Sequence, residues 1–194
     1  MSRRIFTRLR SAKSCAPTSR RDQPMSSDFT IRPLRVEDNE GIRSIFNDYI
    51  EHSFAAYPQH LLTVEQIQSL VQSYQGYPAL AAEDDDGNLI GFAFVRPYSP
   101  HDTFARTATI TYFIASGQTG KGLGSAFLQQ LEVDARQQGI TRLLAHVSSK
   151  NETSLAFHCK HGFSQCGVFH GIGCKHGEVF DVVWFEKSLL PSEY

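Results

Sequence analysis

Gly117-Gln-Thr-Gly-Lys-Gly-Leu-Gly-Ser125 is the stretch on which the fold turns. Glycines at 120, 122 and 124 alternate with Lys121 and Leu123, so the backbone can take positive φ and bring its N–H groups close to a ligand. Behind them, Leu123, Phe127, Leu131 and Ala135 recur four apart, the apolar stripe of an amphipathic helix. In front, Thr107 to Ile114 is a run of β-branched and aromatic residues that reads as a strand. A glycine loop between strand and helix gathers unpaired N–H groups and the positive dipole end at one spot. The segment is therefore expected to cradle an anion on the N–H groups of Gly120 to Ser125, with the charge of Lys121 at the rim. A Walker-type loop needs Ser or Thr directly after the lysine, where Gly122 stands; a dinucleotide fingerprint needs glycine at 127, where Phe127 stands. A tight turn without a ligand is the remaining alternative, and three alternate glycines exceed what it requires.

Working toward the N-terminus, Leu89 to Val95 is the longest apolar run and reads as a buried strand. With Ala79 to Ala82 and the turn Asp84-Asp-Asp-Gly-Asn88 it predicts a hairpin. Thr63-Val-Glu-Gln66 is a capping box, and the helix it opens runs through Ile67, Leu70, Val71 and Tyr74. An aromatic-rich loop, His52 to His60, precedes it. Arg35-Val-Glu-Asp38 reads as the entry to an earlier helix, with Asp38 as cap, and Phe29 to Arg32 as a short strand. Toward the C-terminus, Gly139 stands where a helix-ending glycine belongs. Leu143 to Val147 is a strand, Asn151 or Glu152 opens a short helix, and Phe163–Val168 and Phe180–Phe185 make a closing antiparallel pair. The order β-α-α-β-β-β-α-β-α-β-β predicts an α/β (α+β) domain, a mixed sheet covered by helices.

At 194 residues the chain suffices for one domain with a real core. Residues 1–27 carry seven basic side chains against Asp22, leaving twelve basic and nineteen acidic residues for 28–194. An acidic folded part argues against nucleic acid as a partner, and no apolar run is long enough for a membrane span. The basic extension, expected to be disordered, reads either as an organellar presequence or as a stretch preceding a true start at Met25; the domain is placed at 28–194. Cys15, Cys159, Cys166 and Cys174 form no secreted-type framework, which points to reduced thiols and a cytoplasmic location, or an organellar one if the extension is a presequence. His158, His161, His170 and His176 lie among the last three of those cysteines without the spacing of a zinc site, so no metal is expected.

The arrangement strand, Gly-x-Gly-x-Gly, amphipathic helix, strand, then Asn-x-x-Ser before a short helix ending in Gly-Phe resembles the GNAT superfamily of N-acetyltransferases. Asn151-Glu-Thr-Ser-Leu-Ala-Phe-His-Cys-Lys-His-Gly-Phe163 and Phe180-Asp-Val-Val-Trp184 are similar to its phosphinothricin acetyltransferase-like branch, which acetylates amino acids and their analogues. The resemblance spans roughly residues 29–190 and implies a sheet splayed between two central strands, with acetyl-CoA inserted in the gap. The pantetheine arm would pair with Tyr112-Phe113-Ile114 and with Asn151, and the pyrophosphate would lie on Gly120, Lys121, Gly122, Leu123, Gly124 and Ser125. Asn151 also suits a helix N-cap.

By the same resemblance His158 stands where relatives place the acid for the leaving sulfur, and its usual pKa suits proton transfer near neutrality; a packed, non-catalytic histidine is the other reading. Two positions depart from the pattern. Thr119 replaces a long polar residue before the glycines, and Thr109 stands where the branch often carries a glutamate base. Phe54, Tyr57, Arg96 and Tyr98 are placed on the acceptor side, where Arg96 could pair with a substrate carboxylate; an exposed surface arginine is the other reading. The acceptor is expected to be a small amino-acid-like amine; acetylation of a protein amine, and acyl-CoA binding without turnover, are the alternatives. Homodimers are common in the branch.

Overall fold

A computed structural model describes residues 29–190; the expectations for residues 1–27 lie outside them. The elements are β1 (Thr30–Pro33), α1 (Asn39–His52), α2 (Val64–Gln72), β2 (Ala79–Glu83), β3 (Leu89–Pro97), β4 (Thr107–Ile114), α3 (Leu123–Gln137), β5 (Arg142–Ser148), α4 (Glu152–Lys160), β6 (Ser164–Lys175) and β7 (Glu178–Ser188). One seven-stranded sheet runs β1-β2-β3-β4-β5-β7-β6. All neighbours are antiparallel except β4 and β5.

Both faces of the sheet are covered, which is why β3 has no polar alternation. Phe92 and Phe94 join Ile42, Ile45 and Ile67 beneath α1 and α2. Ala93 and Val95 point the other way, into the core with Leu123, Phe127, Leu128 and Leu131 of α3. Burying a side chain of this size contributes roughly 1.5–3 kcal/mol, so the stripe read from sequence is what fixes α3 to the sheet. A Schellman motif ends α3: Gly139 has φ 78°, its N–H donates to Arg136 O (3.0 Å), and Ile140 N–H donates to Ala135 O (3.0 Å). The capping box of α2 is also present, with Gln66 N–H on Thr63 Oγ1 (3.3 Å) and Thr63 N–H on Gln66 Oε1 (2.9 Å).

Two local expectations are corrected. Asp38 precedes α1 but makes no side-chain cap there. Its buried carboxylate accepts from Arg35 N–H (2.7 Å) and from both terminal nitrogens of Arg32 (2.6 and 2.8 Å), because a paired guanidinium competes better than one orphan amide. The last hairpin is also longer than its pattern implied. Gly167, Gly171 and Gly173 mask the strand, yet Gly173 has a packing reason: a Cβ there would fall 2.2 Å from Phe180 Cζ.

Candidate active site

The site begins where the sheet stops pairing. β4 and β5 share only the register Thr107–Arg142, Ala108–Leu143 and Thr109–Leu144. Beyond Thr109 the strands diverge, and a cleft of about 690 Å³ opens between Ile110–Ile114 and Ala145–Ser148. A hydrogen bond from Tyr49 Oη to Ile114 O (2.8 Å) ties α1 to the open end of β4.

The glycine loop forms one end of this cleft. Gly120 and Gly122 have φ of 79° and 90°, and nothing lies within 4 Å of where a Cβ would stand on either. Gly122 occupies the N-cap position of α3 with no side chain to satisfy the first N–H groups, leaving them to a ligand. Gly124 differs: its φ is not positive, and its Cβ would meet Phe157 Cε2 at 3.3 Å and Ile114 Cδ1 at 3.5 Å. It is a close-packing glycine between α3 and α4. Ser125 lines the cleft with its Oγ 3.0 Å from His161 Nε2, and Lys160 is also at this end. Lys121 and Leu123 do not line it; Lys121 Nζ donates to Gln118 Oε1 (2.8 Å), and Leu123 is buried in the core. Asn151 is the N-cap of α4, accepting from Ser154 N–H (3.1 Å), and borders the cleft as well.

Tyr112, Phe113 and Ile114 all line the gap. His158 sits beneath Tyr112, 3% exposed, with the Tyr112 hydroxyl 2.6 Å from its Nε2 and Ser154 O 2.7 Å from its Nδ1. The carbonyl can only accept, so Nδ1 carries the proton and Nε2 accepts from the tyrosine. Stacking on Phe185 completes the enclosure. Burial pushes the imidazole down to about 4, against the sequence expectation of a ring titrating near neutrality. His158 is thus a neutral, doubly engaged ring that orients the Tyr112 hydroxyl, whose own pKa burial raises.

The opposite end of the cleft is aromatic. Tyr57 and Arg96 line it with Phe46, Tyr49 and Phe94, whereas Phe54 and Tyr98 do not. Phe54 packs on Phe180 and His176, and Tyr98 pairs edge-to-face with Phe104 at the surface. One residue here carried no sequence signal. His146 on β5 stacks on Tyr57 (5.5 Å between centroids), with Nδ1 3.3 Å from the Tyr57 hydroxyl and Nε2 3.4 Å from Arg96 Nη2. Burial, then the Arg96 charge, lowers its pKa. Thr109 is buried and does not reach the cleft, and no carboxylate is among the lining residues.

The loop that carries Tyr57 is held from beneath. Lys175, 1% exposed on β6, donates from Nζ to Ser53 O (2.7 Å) and Ala56 O (2.7 Å), and burial lowers its pKa. Hydrogen bonds from a charged donor contribute about 1.5–3 kcal/mol each, partly offset by the desolvation of the ammonium. Lys175→Met is expected to lower the urea midpoint and to raise KM for the acceptor several-fold while leaving acetyl-CoA affinity unchanged. Equal loss of both affinities would mean that Lys175 supports the whole fold rather than this loop.

Residues 31–184 match the Acetyltransferase (GNAT) domain family, and the chain belongs to it. It is 31% identical over 165 residues to the L-methionine sulfoximine/L-methionine sulfone acetyltransferase of Pseudomonas paraeruginosa, covering 84% of this chain and 96% of that protein. It is 25% identical to the phosphinothricin N-acetyltransferase of Streptomyces coelicolor, covering 86% and 99%. Among solved structures, an N-acetyltransferase from Staphylococcus aureus Mu50 superposes with a TM-score of 0.80 at 28% identity, covering 84% of this chain and 100% of that one. The Salmonella typhimurium protein yncA, solved with its cofactor acetyl-CoA, superposes with a TM-score of 0.79 at 26% identity, covering 87% and 98%. Among the described residues no helix is long and apolar enough to cross a membrane, and no group of three His, Cys, Asp or Glu is placed to hold a metal.

Proposed function

We propose that the chain transfers the acetyl group of acetyl-CoA to the amino group of a small amino-acid-like acceptor. The carrying observation is the parting of β4 and β5 beside a glycine loop with two positive-φ glycines open to the cleft. An elongated thioester with a pyrophosphate at its far end fits that shape. Gly120, Gly122 and the first N–H groups of α3 would hold the pyrophosphate, with Ser125 and Lys160 alongside. The parted backbone from Tyr112 to Ile114, with Asn151, would hold the pantetheine arm. The bound donor supplies an acetyl carbon activated for attack. What the protein adds is placement, a dry aromatic wall, and hydrogen-bond donors where negative charge develops. The Tyr112 hydroxyl, whose one proton rests on His158 Nε2, would have to turn that proton toward the departing sulfur to serve as its donor.

The acceptor end supports a small molecule over a protein chain. Its walls are aromatic and its one cation is Arg96, which pairs with no carboxylate among the described residues. An acceptor with a carboxylate for Arg96 and an apolar side chain for Tyr57, Phe46 and Phe94 fits these walls. Two of the relatives above are named for L-methionine sulfoximine or sulfone and for phosphinothricin as acceptors, in keeping with this reading. The free thiols of Cys166 and Cys174 suit the cytoplasm or another reducing compartment, and exposed Phe169, Ile172 and Val179 on the β6–β7 hairpin suit a homodimer. Thiol release from acetyl-CoA across a panel of amino acids, with the N-acetyl product identified by mass, tests the activity. Release is expected with apolar amino acids; cofactor binding with no release for any amine would leave a binding protein instead.

A further inference from the structure

His146 and Arg96 are fifty positions apart in the chain and adjacent in the cleft. Arg96 pairs with Thr109 across β3–β4, and Thr109 pairs with Leu144 across β4–β5, so these residues share one face of the sheet. His146 lies two residues beyond Leu144 on that same face, at the point where β5 has left β4. Tyr57 covers it from the α1–α2 loop and Trp184 from β7. The charged and titratable groups facing the ring are therefore Arg96 and Tyr57.

The hydrogen bonds assign the tautomer. A guanidinium can only donate, so Nε2 is the lone-pair nitrogen and Nδ1–H points to the Tyr57 oxygen, whose own proton faces His146 O (3.4 Å). Nε2 is thus an unprotonated nitrogen whose neighbour is a cation that a carboxylate can draw away. The other groups are placed differently: His161 lies at the glycine-loop end, its Nε2 3.0 Å from Ser125 Oγ. His158 has both nitrogens engaged, Thr109 is outside the cleft, and no carboxylate is present.

We propose that His146 Nε2 accepts the proton of the attacking amine, and that Arg96 and His146 together read the α-amino-carboxylate unit. This rests on the acetyl-transfer reading above and deepens it. The nitrogen of an α-amino acid lies about 2.7 Å from the nearer carboxylate oxygen by covalent geometry. That span bridges Nη2 and Nε2, 3.4 Å apart, when each contact is a hydrogen bond of ordinary length. A 3-amino acid adds a rotatable carbon between the two groups, so it meets the pair only in a folded conformer and at a cost in conformational freedom.

In the step itself, the neutral amine's lone pair forms the C–N bond and the carbonyl π pair moves onto oxygen. The nitrogen, now cationic, passes a proton to Nε2. The oxygen pair returns, the C–S bond breaks, and sulfur leaves with the bonding electrons as thiolate. The imidazolium proton then goes to solvent or to the thiolate, restoring the ring. Its lowered pKa keeps the ring unprotonated and ready at neutral pH.

Thiol release by wild type and His146→Ala, with phenylalanine and with its 3-amino isomer, tests this. His146→Ala is expected to lose about 10²–10⁴-fold in kcat, to keep the thermal shift given by acetyl-CoA, and to regain activity with added imidazole in proportion to its unprotonated fraction. Wild type is expected to favour the 2-amino over the 3-amino acid by at least tenfold. A His146→Ala enzyme within threefold of wild type, or loss that imidazole does not restore in a folded variant, overturns the proposal. So does equal use of the two isomers, which needs no variant. A wild type that releases thiol with no amino acid would instead sink the activity on which the proposal rests.

Discussion

Valine at position 122 is expected to abolish the rise in melting temperature that acetyl-CoA gives the wild-type protein. Gly122 has φ 90° and ψ −11° at the N-cap of α3, and no protein atom lies within 4 Å of a Cβ built there. Gly122 lines the cleft, so the added side chain has open space there, beside the N–H groups that the proposed pyrophosphate site needs clear. A ligand present at a hundred times its Kd stabilises by about 2.7 kcal/mol. At roughly 2–4 °C per kcal/mol for a domain of this size, the wild-type shift is easily read. Valine also strains the backbone, because a β-branched residue at positive φ is an outlier costing about 1–3 kcal/mol. Gly122→Asn separates the two effects. Asparagine tolerates the left-handed region but still obstructs the cradle, so it should keep most of the stability and lose the shift. If both variants respond to acetyl-CoA as wild type does, the pyrophosphate lies elsewhere.

A second large effect concerns acid. His158 has a native pKa of about 4 against 6.5 for an unperturbed histidine, because the folded protein buries the ring neutral. Below pH 6.5 the unfolded chain takes a proton that the native state refuses, so stability falls as pH drops. The loss continues until the native ring itself protonates near pH 4. At 1.36 kcal/mol per pKa unit the window is worth about 3 kcal/mol. His146, also lowered, adds in the same direction. Carboxylates held down by partners, Asp38 and Glu83 among them, act lower, as pH falls through their own range. Urea midpoints at pH 7 and pH 4.5 measure the loss, and His158→Gln should flatten the difference although it weakens the protein at both. Identical midpoints for the wild type would mean the ring is not held neutral.

The features legible in the sequence are those whose cause is local. The glycine loop, the α3 stripe, its Schellman ending and the Thr63 box each need only a few neighbouring residues, and all are present. Asp38 misled because its competitor, Arg32, lies on the preceding strand. The long hairpin was hidden by glycines whose purpose is visible only once Phe180 lies over Gly173. His146 and Arg96 become neighbours through two successive strand registers, and Lys175 meets Ala56 across 119 positions. No periodicity encodes such a meeting. The sequence thus showed where an anion could sit far more clearly than which side chains face the acceptor.

The three paired positions that join β4 to β5 also have a mechanical meaning. The sheet is two plates, β1 to β4 and β5 to β7, fastened along one short edge and free beyond it. On the proposed function, a carrier threaded through the opening would stand in for missing rungs, the arriving and the spent one each a temporary strand. Each cycle would then complete the sheet and undo it again. A change that grips the fresh carrier through its shared pantetheine arm also delays departure of the spent one, and the fastest enzyme is the one whose seam is only moderately tight.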